Sequence, residues 1–297
     1  MNTTEKHAYC IIAHNEPEML ETLVNTIDDE RNDIFLMIDK KTDVGVFRDI
    51  SPKRSTLFLT RRINVRWGDI SLVKAELEVL GLAAKHGPYK VYHLLSGVDL
   101  PVKSQDYIHS FVASHPAMEF VNISYDETDK ADVINKTRYY HFFTPFERHK
   151  IRAVSETFRF IDRLLLKGQK IVGIRRKHDY ELVKGHNWAS ITHPFCVFLL
   201  SRQKDILRDF RYVPCADEIY KQSLLKNSTF RMFQMETYDS SMREIDWQRG
   251  TPYVWGSDNT DADIEILKTS TALFARKFSM KHAEMVRKVV ASLHADP

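Results

Sequence analysis

Three observations predict an α/β fold of one domain, with a mainly parallel sheet flanked by helices. From Ala8 to about Ile123, short β-rich runs alternate with amphipathic helical segments, the signature of a sheet covered on both faces. The chain has 297 residues, 43% of them hydrophobic, enough to bury one large core. It shows no internal repeat and no low-complexity tract that would divide it.

In order, the predicted strands of the first half are "AYCIIAH", "DIFLMID", "STLFLT", "VYHLLSG" and "MEFVNI". The helices between them are "EPEMLETLVNTIDDE", "DISLVKAELEVLGLAAKH" and "SQDYIHSFVASH". From Ser124 to His149 the chain is polar and aromatic with no clear period, which reads as a long loop or lid. "IRAVSETFRFIDRLLLKGQKIVGIRRKH" then gives a basic amphipathic helix, either a solvated face or a contact for a membrane surface or an anionic acceptor. The last third mixes helices ("HPFCVFLLSRQKDILRDF", "ADEIYKQSLLKN", "MKHAEMVRKVVASLHA") with short pieces such as "FQMETY" and "MREIDW".

Charge and cysteines narrow the class. A net charge of +3 and a pI of about 8.6 favour anionic ligands without amounting to a nucleic-acid footprint, so no nucleic-acid partner is expected. Cys10, Cys196 and Cys215 form no metal or disulfide spacing and suit a reducing compartment. The N-terminal apolar run is broken by His14 and Asn15 and lacks a signal-peptide core, and no run approaches the ~18 residues of a membrane span. A cytoplasmic chain is expected, touching the inner face of the plasma membrane at most peripherally.

In open parallel sheets the ligand sits beyond the carboxyl ends of the strands. His14, Asn15 and Glu16 follow the first strand and precede a helix whose N–H groups suit a polar or anionic ligand; alternatively Asn15 only caps that helix. Asp39 ends the second strand, where it could bind a uracil or ribose or simply shape a turn. Trp67 offers a flat face beside Gly68, or fills the core. Ser96 and Asp99 close the fourth strand in "SGVDLP". Glu218, at the head of "ADEIYKQ", is either a first-turn acid favoured by the helix dipole or a general base. Arg276 and Lys277, set among apolar residues, need a diphosphate or an internal carboxylate as partner. The lone Asp-x-Asp, Asp261 to Asp263, has the setting of a helix cap rather than of a metal pair.

Taken in order, "IIAHNEPEMLETLVNTI", "FLMIDKKT", "RWGDISLVKAELEVL", "YHLLSGVDLPVKS", "VKGHNWASITHPFCVFLL", "CADEIYKQSLLKNS", "REIDW" and "LFARKFS" resemble the core-2/I-branching β-1,6-N-acetylglucosaminyltransferase family, which includes the peptide O-xylosyltransferases. The resemblance implies a GT-A-type fold and inverting transfer from a UDP-sugar with no metal or other cofactor. It makes Glu218 the base and Lys277, with Arg276 nearby, the diphosphate partner. His14, Asp39, Trp67, Ser96 and Asp99 become the donor wall, and Trp188 and Trp247 acceptor contacts. Residues 8–123 would be a nucleotide-binding half, and 124–297 the lid, acceptor and catalytic half. A second family cation has only Arg249 as a candidate. The animal members carry a signal anchor and a disulfide-rich lumenal domain; a compact chain without these resembles a bacterial enzyme building surface polysaccharide on a glycan or lipid-linked glycan acceptor. The rivals are a metal-dependent transferase using Asp261 and Asp263, and a non-catalytic nucleotide- or carbohydrate-binding protein.

Overall fold

The computed structural model describes residues 3–147, 151–235 and 239–293. Its strands are β1 (His7–Ala13), β2 (Asn32–Ile38), β3 (Thr56–Leu59), β4 (Val91–Ser96), β5 (Asp99–Pro101), β6 (Met118–Glu119), β7 (Ser190–Thr192), β8 (Arg231–Met232), β9 (Arg243–Ile245) and β10 (Phe274–Arg276). The helices are α1 (Pro17–Thr26), α2 (Ser71–His86), α3 (Gln105–Ser114), α4 (Glu127–Thr137), α5 (Arg152–Ile171), α6 (His193–Ser201), α7 (Gln203–Asp209), α8 (Tyr220–Lys226), α9 (Thr260–Thr269) and α10 (Ala283–Ser292).

The central sheet runs β3-β2-β1-β4-β7, with β1 to β4 mutually parallel and β7 antiparallel at the edge. It is therefore the mainly parallel sheet expected, with one reversed edge. Every residue of β1, β2 and β4 is buried, because helices cover both faces. Strand alternation divides β1 between two cores: Tyr9, Ile11 and Ala13 join α1, α3, α9 and α10, whereas Ala8, Cys10 and Ile12 join α2, α6, α7 and α8. Each core thus draws on both halves of the chain. A second sheet, β5-β10-β9, lies against the end of β4.

From β1 the chain runs outward through β2 and β3, then returns to place β4 on the other flank of β1. The order reverses between β1 and β4, and the carboxyl edge at such a switch point is where open parallel sheets bind their ligands. Gly97 is needed at this point, since a Cβ on it would stand 2.8 Å from the Ala13 Cβ.

The predicted lid is corrected in part. It contains α4, whose only buried residues are Val133 and Thr137. Ion pairs such as Lys130–Glu127 and Lys136–Asp132 support this helix in place of an apolar stripe, so its sequence carries no hydrophobic period. The ends of three expected segments, Arg148 and His149 of the lid, Glu236 to Tyr238 of "FQMETY" and His294 to Ala295 of the last helix, lie outside the described residues. α6 and α7 divide at Arg202 where one helix was expected.

Three histidines sit in the first core. His93 Nδ1 meets Ser190 Oγ at 2.7 Å and its Nε2 meets His7 Nδ1 at 3.1 Å, while His7 stacks on His109 at 3.7 Å. Burial, first of all, holds all three below the ordinary histidine range, His109 down to about 4. Neutral in the folded chain, they contribute stability above pH ~6.5 that is lost as the pH falls toward their folded values. Glu119 and Asp217 act in the opposite sense, because burial lifts both carboxyls to about 7. The sign is therefore best isolated by difference. The stability advantage of the native chain over a His109→Asn variant should narrow by up to about 2 kcal/mol between pH 7.5 and pH 5, measured by urea denaturation; an unchanged difference would show that His109 titrates normally.

Candidate active site

At the carboxyl edge, β1 leads into His14, β2 into Asp39 and β4 into the Ser96–Asp99 turn. The loops interlock: Asp39 N–H donates to the Ala13 carbonyl at 2.9 Å, Thr42 Oγ1 to the His14 carbonyl at 2.8 Å, and Gly97 N–H to the Ile12 carbonyl at 3.1 Å. Asp39 is buried and takes the Lys41 N–H at 2.9 Å, so it does shape a turn; Lys41 Nζ lies 3.4 Å from its other oxygen. Glu16, not Asn15, stands at the N-cap of α1. Its carboxylate accepts from Ser279 Oγ at 2.8 Å and from the Met280 N–H at 3.2 Å, tying the His14 loop to the segment just after Lys277.

β10 brings in the basic pair. Arg276 registers opposite Asp99, and Phe278 N–H donates to the Val98 carbonyl at 2.9 Å, so Lys277 sits beside the β4–β5 turn. Partial desolvation lowers the His14 pKa; Asp39 opposes that, and the Lys41 and Lys277 cations add to it. His14, Asp39, Lys41 and Lys277 thus share one electrostatic neighbourhood. Lys277 is half-buried, and among the described residues no carboxylate lies within ion-pair range of it.

The other basic side chains nearby are committed. Arg276 lies over the Trp188 ring at 4.8 Å with Nε 3.5 Å from Asp99 Oδ1. Arg243, buried, donates to the Ser241 and Ala189 carbonyls and to Ser190 Oγ. Arg249 pairs with Asp246 and Asp263 and stacks on Tyr253 at 3.9 Å, which leaves it holding two carboxylates rather than a diphosphate. Asp263 also accepts from Tyr253 OH and Gly256 N–H, while Asp261 pairs with Lys288, so the two acids of "DAD" serve separate contacts; the cap of α9 is Asn259. Among the described residues no group of three or more His, Cys, Asp or Glu is placed to hold a metal ion.

Two expectations are revised. Ser96 donates its hydroxyl to Asp99 Oδ1 at 2.6 Å and its N–H to Oδ2 at 2.8 Å, so this pair holds the turn and faces Arg276 instead of lining the cleft directly. Trp188 is buried beneath Arg276, which removes its ring as an acceptor platform. Trp67 and Trp247 are both about half exposed. Trp247 Nε1 donates to His186 Nε2 at 3.2 Å, and His186 Nδ1 is 2.7 Å from Asp239 Oδ2.

Glu218 ends a single 3-10 turn, Ala216–Glu218. Gly68, at φ +69°, lets its carbonyl accept the Cys215 N–H at 2.9 Å, which seats that turn beside Trp67. Asp217 points into the core, whereas Glu218 remains about one-third exposed with Lys184 at 3.8 Å and Lys136 at 3.9 Å. Burial works against the Lys184 charge, but Asp132, Glu218 and Asp129 outweigh it and raise its pKa. These two lysines were missed in the sequence; Lys184 lies in the quoted "VKGHNW", but its target is on another segment.

That segment touches both the Glu218 turn and the Arg276 side chain. Lys184 approaches Glu218, Gly185 N–H donates to the Glu218 carbonyl at 3.0 Å, His186 carries Trp247, and Trp188 underlies Arg276. Four residue steps cover at most roughly 14 Å, so the backbone beside Glu218 and the ring beneath Arg276 belong to one short stretch of chain.

Beneath the Glu218 turn, the fully buried Lys221 donates to Glu76 Oε2 at 2.9 Å, Asn187 Oδ1 at 2.6 Å and the Asp217 carbonyl at 2.9 Å. Lys221→Met leaves the Glu76 charge buried without its cation and should cost about 3–5 kcal/mol, a melting drop on the order of 5–8 °C by calorimetry. A change below 1 °C would show that the pair adds nothing.

An open, mainly parallel α/β sheet with charged residues gathered at its switch point is an architecture that binds ligands at that edge. Residues 7–268 match the pattern of the family described as Core-2/I-Branching enzyme, and the chain belongs to that family. The family indicates a glycosyltransferase, whose substrates are a sugar donor and an acceptor, and the observed sheet is compatible with such a fold. No curated protein matches the chain in sequence.

Proposed function

We propose that this protein is an inverting glycosyltransferase of the GT-A type. It moves N-acetylglucosamine, xylose or a related hexose from a UDP-sugar to a glycan hydroxyl, without a metal, in bacterial surface polysaccharide assembly on the cytoplasmic side. The observation that carries this reading is Lys277, a half-buried cation with no carboxylate partner among the described residues, at the carboxyl edge beside His14. A partly desolvated cation without a protein partner favours an anionic ligand, and a diphosphate would supply the missing charge.

The step is a single displacement. Glu218 takes the proton of the acceptor hydroxyl as its oxygen bonds to the anomeric carbon; the bond from that carbon to the diphosphate oxygen breaks on the opposite face, and UDP leaves against Lys277. The neutral imidazole of His14 and the carboxylate of Asp39 offer hydrogen bonds to the uridine, with Trp67 beside the donor and Trp247 beside the acceptor. Ser96, Asp99, Arg276 and Trp188 hold the wall in place.

A panel of UDP-sugars, incubated with acceptor glycans with and without excess EDTA, tests the proposal. UDP release coupled to glycan extension and undiminished by EDTA is the expected result. Activity lost to EDTA and restored by a divalent cation would replace the metal-free mechanism, and UDP binding without turnover of any donor would make the chain a binding protein.

A further inference from the structure

Helix α5 is built with its polarity reversed. Its buried residues are Ser155, Asp162 and Gln169, and each makes a polar anchor: Ser155 Oγ to the Glu147 carbonyl, Asp162 to His141 Nδ1 at 3.2 Å, and the Gln169 amide to both N–H and carbonyl of Tyr140 at 2.9 Å. Phe160, Leu164 and Ile171 point the other way, 58%, 50% and 85% exposed. At about 100° of turn per residue these three fall within about 40° of one another and roughly opposite the buried edge. Exposed Val172 and Ile174 extend the apolar ridge beyond the helix.

Cations border this ridge. Residues 151–177 contain eight Lys or Arg against two acids, and one of those acids, Asp162, is buried on His141. Among the described residues no carboxylate pairs with Arg159, Arg163, Lys167, Arg175 or Lys177. A ridge of large apolar side chains flanked by unpaired cations complements a surface with an oily interior and an anionic rim. Among the described residues no helix is long and apolar enough to cross a membrane, so the fit is to a helix lying in the interface.

We propose that α5 and the turn through Lys177 dock this protein on an anionic lipid bilayer, with Phe160, Leu164 and Ile171 inserted among the acyl chains and Arg163 and Lys167 at the phosphates. The proposal does not depend on the transfer reaction, because docking is read without donor or acceptor.

The test is sedimentation of the full chain with vesicles of phosphatidylcholine alone or mixed with about one-third phosphatidylglycerol, at low and high salt. Binding to the anionic vesicles should exceed that to neutral ones at least about tenfold and fall as salt rises. Arg163→Gln with Lys167→Gln should weaken it by about fivefold per cation removed. Phe160→Ser, Leu164→Ser and Ile171→Ser together should remove the part that survives high salt, with circular dichroism checking the fold; if this variant misfolds, the two charge substitutions carry the test alone. Equal binding to both vesicle types, or charge variants that bind like the native chain, overturns the proposal. So does a dimer that the serine variant disperses while no vesicle is bound, which would make the ridge a self-association surface.

Discussion

Glu218→Gln is expected to lower turnover by about 10²- to 10⁴-fold, the range that general-base assistance supplies. The amide keeps the shape of the side chain and cannot accept the hydroxyl proton. Stability should change little, since the flanking lysines stand at 3.8 and 3.9 Å on a partly exposed carboxylate and such pairs contribute at most ~1 kcal/mol. UDP affinity, measured by calorimetry, should stay near the native value because the residues proposed to hold the uridine, His14 and Asp39, follow β1 and β2 rather than the Glu218 turn. Near-native turnover would remove Glu218 from the mechanism and direct attention to Asp217, which the fold buries beside Glu76 and Lys221.

Lys277→Ala should act on both steps. Removing an oriented charge at a leaving group costs about 10²- to 10³-fold in kcat, and UDP affinity should fall with it. Lys281→Ala, an exposed change four residues on, serves as the control and should leave both unchanged. One readout needs no substrate. The Lys277 cation lowers the His14 pKa, so its removal favours the imidazolium and must raise the His14 midpoint in an NMR titration. A His14 midpoint that does not move would separate the two residues and remove Lys277 from the proposed donor site.

Much of the scaffold was legible because its signals are local. β1, β2 and β4 are buried along their whole length and read as apolar runs, and α2 announces itself by period. The same logic set His14, Asp39 and Ser96 at strand ends. α4 escaped because side-chain ion pairs, with only Val133 and Thr137 buried, leave no periodic apolar stripe to see. Trp188 and Trp247 look alike in sequence, yet one is buried under Arg276 and the other half exposed over His186. The outward ridge of α5 had the period of an ordinary amphipathic helix, and only its polar anchors reveal which face is turned to solvent.

The sequence by itself determined the alternation of strands and helices, the strand ends that could meet a ligand and a short roster of charged candidates, because period and turn chemistry act between neighbours in the chain. Tertiary structure decided which of those charges are already taken: Arg249 by Asp246 and Asp263, Arg276 by Asp99 and Trp188, with Lys277 left without a carboxylate partner among the described residues. That choice depends on partners brought together by the sheet order and by contacts such as Glu16 to Ser279, 263 residues apart. No local pattern encodes a contact across such a distance, because its energy exists only once the strands have found their register.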